Sequence, residues 1–186
     1  GRRVMIERGD KLYVLQKYFI PEDLIDKKVR EDKVPYDIWV QRGLVTACPG
    51  KRIDYSMVTA WFVELRETLG IYTLWVGYDS WGSQYWVTEM QANGFVMERV
   101  IQGAKTMSHP MKELEADFLS KRVNYNNNPI LKWCLTNTRV ESDENGNIRP
   151  VKGRNTKLRI DGTVSLIDAY VVYLSKRDDY RNMQGE

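Results

Sequence analysis

"IYTLWVGYD", Ile71 to Asp79, is the stretch on which the fold turns. It is apolar almost without interruption, has the length of a strand, and ends on a carboxylate. A run of this kind, without polar alternation, is the pattern of a strand covered on both faces, as in the sheets of α/β proteins. After it a helix is expected from about Trp81 to Asn93, stopped by Gly94, and "FVMERVIQG" reads as the next strand. Upstream, Asp54 is placed to cap a helix from about Ser56 to Leu69, with Met57, Val58, Trp61, Phe62 and Leu65 on one apolar face. "GLVTACPG" is a short strand closed by Pro49-Gly50. "EDLIDKKVREDKVPYDIWVQRG" is charged and reads as a solvated helix and loop. The N-terminal "RRVMIER" and "KLYVLQKYFI" form a hairpin about Gly9-Asp10, with Pro21 ending the second strand.

Downstream, "SHPMKELEADFLSKR" is an amphipathic helix with Ser108 as its cap, and Asn128-Pro129 opens a further helix, "PILKWCLTN". "TRVESDENGNIRPVKG" signals a second hairpin at Asn145-Gly146. Strands alternating with helices place the chain in the α/β class. The last helix, in "LRIDGTVSLIDAYVVYLSK" (Leu158 to Lys176), carries Val164, Ile167, Val171 and Leu174 at helical spacing, with Leu166 and Tyr170 widening the face. Two acids, Asp161 and Asp168, stand on nearly the same side of it, two turns and roughly 10 Å apart along the axis. An apolar helix with acids along one line calls for a reason.

Composition narrows the answer. The 186 residues suffice for one domain with a real core; 42% are hydrophobic, 28% are charged, and the net charge of +3 is mild. No apolar run approaches the ~20 residues that cross a membrane, and "GRRVMIERGD" has no apolar core of a secretion signal. Cys48 and Cys134 lack metal-site spacing and are expected to be reduced thiols. The single histidine, His109, is expected at the surface near a helix start, which argues against histidine-rich zinc chemistry. Asp79, at the carboxyl end of a buried strand, lies where α/β sheets place ligand sites, although an acid there can also cap the next helix. Asp161, at a helix head, has the same ordinary reading.

The order of "YDSW", "GAKTMSHPMKELE", "NNPILKW" and "RIDGTVSLI", with the weaker "YFIPED" and "PGKRIDY", resembles the C-terminal nuclease domain of tailed-phage terminase large subunits. The resemblance runs from about Val4 to Ser175. It implies a ribonuclease H-like fold, a mixed sheet flanked by helices, forming a single domain over 1–186. It also implies three metal-binding acids, of which the later-strand acid corresponds to Asp79 and the helix acid to Asp161. The family's first acid lies on a strand before the segment matching "RRVMIER", so that strand and the preceding ATPase domain are expected outside this chain, which has no GxxxxGK[ST] loop. Glu7 and Asp10, at a strand end and a hairpin tip, do not substitute for that acid.

The implied activity is metal-dependent endonucleolytic cutting of concatemeric double-stranded viral DNA, with two Mg²⁺ or Mn²⁺ ions and little sequence preference. Two ions about 4 Å apart activate water and neutralise the leaving oxygen, and hard cations want carboxylate oxygens. Such a protein works in the host cell cytoplasm, transiently at the procapsid portal. In its full-length form it meets the portal protein and the small terminase subunit; no membrane is involved. Rival readings are a DNA-clamping module inactive in isolation, and another ribonuclease H-like enzyme such as a junction resolvase or transposase.

Asp168 is not required by the family motif. It reads first as a solvated or salt-bridged residue, and second as a carboxylate supporting the metal site. "RPVKGRNTKLR" sets Arg149, Lys152, Arg154, Lys157 and Arg159 just before Asp161 as candidate phosphate contacts; Lys105 is another. The "DENGN" tip is expected nearby. Trp61, Trp75, Trp86 and Trp133 read as core, and Trp81 as a residue lining the site.

Overall fold

Gly9 takes a left-handed backbone (φ +63°), and its turn joins β1 (Arg2–Arg8) to β2 (Lys11–Lys17) as the expected antiparallel hairpin. The structure, a computed structural model, describes residues 1–79 and 84–185. The strand run after Lys11 does not continue unbroken to Pro21. It breaks at Tyr18, and β3 (Phe19–Pro21) pairs instead with β4 (Thr46–Cys48), in parallel. The cause is tertiary: the Tyr18 carbonyl accepts from the Thr46 amide (2.8 Å), and its buried ring lies 4.5 Å from the Arg3 guanidinium.

The charged segment that follows is more than a solvated helix and loop. It folds as α1 (Ile25–Asp32) and α2 (Tyr36–Gln41), with Asp32, Val34 and Tyr36 buried. The Tyr36 hydroxyl donates to Asp32 (2.8 Å), and the rings of Tyr36, Trp39 and Trp133 meet edge to face. A count of charges misses this arrangement because most of the charges in "DKKVREDK" occupy the outer surface.

α3 (Tyr55–Glu67) starts at Asp54, whose carboxylate accepts from the Ser56 amide (3.0 Å), and it buries Val58, Trp61, Phe62 and Leu65. β5 (Val76–Asp79) is shorter than the apolar run suggests, since residues 71–75 have no strand pairing among the described residues. It pairs in parallel with β6 (Met97–Val100), with Asp79 opposite Val100, and α4 (Gln84–Ala92) connects them. α5 (Ala104–Leu119) begins ahead of the expected cap: Gly103 is the N-cap, and Ser108 is buried within the helix, its hydroxyl accepting from the Ile148 amide (3.1 Å). Pro110 suggests a first helical turn, yet here it stands inside a helix already begun. His109 is exposed.

The two-residue β7 (Val123–Asn124) adds in parallel to β2. Asn128 caps α6 (Pro129–Asn137) by accepting from the Ile130 and Leu131 amides at 3.0 and 3.2 Å. β8 (Thr138–Ser142) and β9 (Ile148–Lys152) form the second hairpin, and α7 (Asp161–Gln184) closes the chain. Cys48 and Cys134 are buried free thiols. Among the described residues no helix is long and apolar enough to cross a membrane.

These elements make a mixed α/β layer. One half-sheet has the order β1-β2-β7 and another is β5-β6. α7 runs under both: its buried Leu166, Ile167 and Tyr170 pack with Leu12, Val14 and Leu131, while Val172 lies against Gly77 of β5. On the opposite face Val58, Phe62 and Trp86, from α3 and α4, pack with Val4 and Val76. The two halves are therefore held together by helices above and below.

Candidate active site

Two glycines let three elements approach closely enough to form a site. A Cβ on Gly77 would lie 2.7 Å from a methyl of Val172, so β5 rests directly on α7. A Cβ on Gly162 would lie 2.7 Å from the Arg3 guanidinium and 3.0 Å from the Cys134 sulfur, so the head of α7 sits against both β1 and α6. Gly77→Ala is expected to push β5 off α7 and destabilise the fold by about 1–3 kcal/mol, read as a lower midpoint in urea unfolding.

Asp79 ends β5, and the first described residue of α4 is Gln84. Asp168 stands on α7, half-buried, and its carboxylate accepts from the Gln102 amide (2.8 Å). Burial pushes its pKa up to about 6; the Gln102 hydrogen bond opposes the rise, the charge of Asp79 adds to it, and that of Arg2 opposes it. Asp79 and Asp168 therefore share a local field. Asp168 forms no ion pair among those described, so neither ordinary expectation, free solvation or a salt bridge, describes it.

Asp161 is the first residue of α7, and it is exposed. Ile160, not Asp161, occupies the N-cap position, so the capping role does not account for this acid. Its carboxylate lies at the positive end of the helix dipole. The charge of Asp161 acts on the Cys134 thiol, which lies against the head of α7. Asp79, Asp161 and Asp168 all line one cavity of about 1000 Å³ between β1 and β5. Asp79 and Asp168 are brought together; Asp161 lies further up the same helix, beside Gly1 and Cys134. Trp81 falls outside the described residues. Trp61 and Trp86 are buried as expected, and Trp75 and Trp133 are half-buried.

The basic candidates spread over a wider surface. Lys105 is exposed in the first turn of α5, and Arg154 and Lys157 are exposed in the loop before α7. Lys152 donates to the Thr156 carbonyl (3.2 Å), bracing that loop, while Arg149 pairs with Glu141 across the hairpin. Arg159 faces inward enough to pair with buried Asp32 (3.6 Å) and also lines the cavity. Sequence reasoning did not single out Gln102 or Arg2, which tune Asp168. The available signal was position, since Gln102 lies just beyond the strand beside β5.

Residues 3–176 match the family described as "Terminase large subunit, endonuclease domain". The chain belongs to this family. It is 32% identical over 152 residues to the terminase large subunit of Enterobacteria phage HK97, covering 80% of this chain and 29% of that protein. It is 28% identical over 163 residues to Protein YmfN of Escherichia coli strain K12, covering 84% of this chain and 35% of that protein. The chain thus spans about a third of the length of these relatives. Its fold matches the crystal structure of the HK97 bacteriophage large terminase with a TM-score of 0.80 at 28% identity, over 91% of this chain and 36% of that one. The large terminase nuclease from thermophilic phage G20c matches with a TM-score of 0.50 at 21% identity, over 64% and 63% of the two chains, a likeness of fold. The terminase nuclease domain thus has the mixed α/β, ribonuclease H-like architecture expected for it.

Whether these residues suit a divalent metal turns on the donor set. Among the described residues no group of three or more His, Cys, Asp or Glu side chains is arranged to hold a metal ion. Burial nevertheless makes Asp168 costly to ionise, and the charge of Asp79 adds to that cost. A hard cation relieves that cost, so the chemistry of the pair fits one.

Proposed function

We propose that this domain is a metal-dependent endonuclease that hydrolyses phosphodiester bonds of concatemeric double-stranded viral DNA. The supporting observation is that Asp79, which ends β5, lines one cavity between β1 and β5 together with Asp161 and Asp168, in a chain of the terminase nuclease family. Asp79 and Asp161 would hold the metal, with Asp168 as a further ligand or a carboxylate that orients one. Two Mg²⁺ or Mn²⁺ ions would supply a reactive water and neutralise the leaving oxygen. In the longer protein a third acid comes from a strand outside this chain, and an ATPase domain precedes the nuclease. That protein acts in the host cytoplasm with the portal protein and the small terminase subunit.

The chain's own residues place the DNA. Arg154 and Lys157 present unburied cations ahead of Asp161, with Lys152, Arg149 and Lys105 on the flanking surface. These are contacts to backbone phosphates, which position a duplex without reading its bases. Replacing Arg154 and Lys157 together with alanine should lower the slope of log affinity against log salt by about 1.8, two contacts at about 0.9 each. Titrations of a labelled duplex at several salt concentrations measure that slope, and an unchanged slope removes both residues from the DNA surface.

One observation favours a second reading. The lack of a three-donor cluster among the described residues suits a clamp that grips DNA but leaves cutting to the longer protein. Supercoiled plasmid incubated with this chain, with Mn²⁺ or with EDTA, separates the two. Mn²⁺-dependent nicking supports the nuclease; retarded plasmid without nicking supports the clamp. The family match favours a packaging nuclease over a junction resolvase or transposase, and a strong preference for four-way junctions would reverse that.

A further inference from the structure

Few polar side chains are buried in this domain, and most of them gather at one point. Among the described residues the buried polar or charged ones are Arg3, Asp32, Thr59, Ser108, Asn137 and Thr163. Thr59 bonds within its own helix, to the Tyr55 carbonyl, and Ser108 serves the second hairpin. The other four all act on residues 159–163, the run that carries Asp161 into α7. Burying polar groups costs free energy that apolar packing does not, so their concentration here must fix something.

They fix the chain on both sides of Asp161. The Asn137 side-chain amide donates to the Arg159 carbonyl (3.0 Å), and the Arg159 guanidinium pairs with Asp32 (3.6 Å). Arg3 donates to the Gly162 carbonyl (3.2 Å). The hydroxyls of Thr138 and Thr163 share a hydrogen bond (2.8 Å), and Thr138 also bonds to the Cys134 carbonyl (2.7 Å). None of these bonds uses the Asp161 carboxylate, and Asp161 stays exposed.

Two ordinary reasons for such bonds do not account for them. A helix start is usually closed by its own N-cap side chain, yet Ile160 at this N-cap makes no such bond. Nor does α7 need polar ties to dock, because Leu166, Ile167 and Tyr170 are buried in the core. What the ties add is a fixed backbone for the first turn, which limits where a short side chain can reach. Asn137 ends α6 and Thr138 begins β8, so the two stand at a joint between elements that has no linker. A ligand carried on a rigid element and held by outside partners keeps its geometry.

The geometry points to Asn137 and Thr138 as positioning residues for Asp161: they hold the first turn of α7 so that its carboxylate is aimed before any ion arrives. This rests on the reading of Asp161 as a metal ligand. Both residues act through the backbone and hydroxyl groups of residues 159–163, not by touching the metal.

The test reads the first turn of α7 and the binding of Mn²⁺, not cutting. Asn137→Leu keeps the bulk and loses the donor; Thr138→Val keeps the shape and loses the hydroxyl; Thr138→Ser keeps the hydroxyl. Amide hydrogen exchange at Val164 and Ser165 should quicken about tenfold in the first two variants, as expected for a lost buried hydrogen bond. Exchange at residues 172–174, farther along α7, should stay at the parent rate, and Thr138→Ser should match the parent throughout. The Mn²⁺ dissociation constant, from the EPR signal of the free ion, should rise about tenfold in Asn137→Leu, as for partners that orient metal ligands. Unchanged exchange, or a rise shared evenly along α7, overturns the proposal. Should Asn137→Leu not fold, Thr138→Val against Thr138→Ser decides by the same two readouts. Weaker Mn²⁺ binding in Asp161→Asn alone overturns the positioning role only. Unaltered binding in Asp161→Asn overturns the metal reading, and this one with it.

Discussion

Asp79→Asn and Asp161→Asn are each expected to abolish Mn²⁺-dependent plasmid nicking, with a loss on the order of 10³-fold. The size follows from what the carboxylates do. A metal that polarises a phosphoryl oxygen contributes several kcal/mol to the transition state, and each 1.36 kcal/mol is tenfold in rate. Asparagine keeps the shape of the side chain but lacks the charge that holds a hard cation. The folded state should survive both changes, because Asp79 stands at a strand end and Asp161 is exposed at a helix head that Ile160 caps. Unchanged unfolding midpoints beside lost nicking would separate chemistry from stability. Retained nicking in either variant removes that residue from the site.

Asp168→Asn, unlike those two changes, should raise stability. With a folded pKa of about 6 against an ordinary 3.8, the Asp168 carboxyl holds its proton more tightly in the folded chain than in the unfolded one. Stability contributed by that proton is present at low pH and is lost as pH rises from about 4 to 6, then stays lost above it. At pH 7.5 the native protein therefore carries a penalty of up to about 3 kcal/mol from one ionised, half-buried carboxylate. Asparagine removes the charge and keeps an oxygen to accept from Gln102. The variant should unfold roughly 6–12 °C higher at pH 7.5, and its stability should vary less between pH 4 and 6. If the carboxylate serves the metal, the same variant nicks DNA more slowly, the pattern of a site that gives up stability for function. An unfolding temperature equal to the parent's at pH 7.5 contradicts this account of Asp168.

The sequence carried most of the fold and less of the site, for physical reasons. Turn and cap chemistry is local, so Gly9, Asp54, Asn128 and Gly146 mark their hairpins and helix starts correctly. Tertiary competition is not local. The break at Tyr18 depends on Thr46, and the buried place of Asp32 depends on Tyr36 and Arg159, which the charge run around it conceals. Ser108-Pro110 reads as a helix start, but the helix begins at Ala104, and the Ser108 hydroxyl serves the second hairpin instead.

At the site, Asp79 and Asp161 stand out because each ends or begins an element. Asp168 lies mid-helix, where a carboxylate reads as surface. What makes it distinctive is β5 resting on α7, which rests in turn on Gly77 having no side chain. The cavity could not be read from sequence, since the segments that line it are far apart in the chain. The apolar run from Ile71 reads as a strand covered on both faces, yet among the described residues only Val76–Asp79 of it is paired, and the remainder borders the cavity.

The most direct measurement is a crystal of this chain soaked in Mn²⁺ and recorded at an energy where manganese scatters anomalously. The account predicts an anomalous peak at the carboxyl end of β5, about 2.1 Å from oxygens of Asp79 and of an acid on α7. Manganese bound elsewhere on the molecule, with none between β5 and α7, would contradict it.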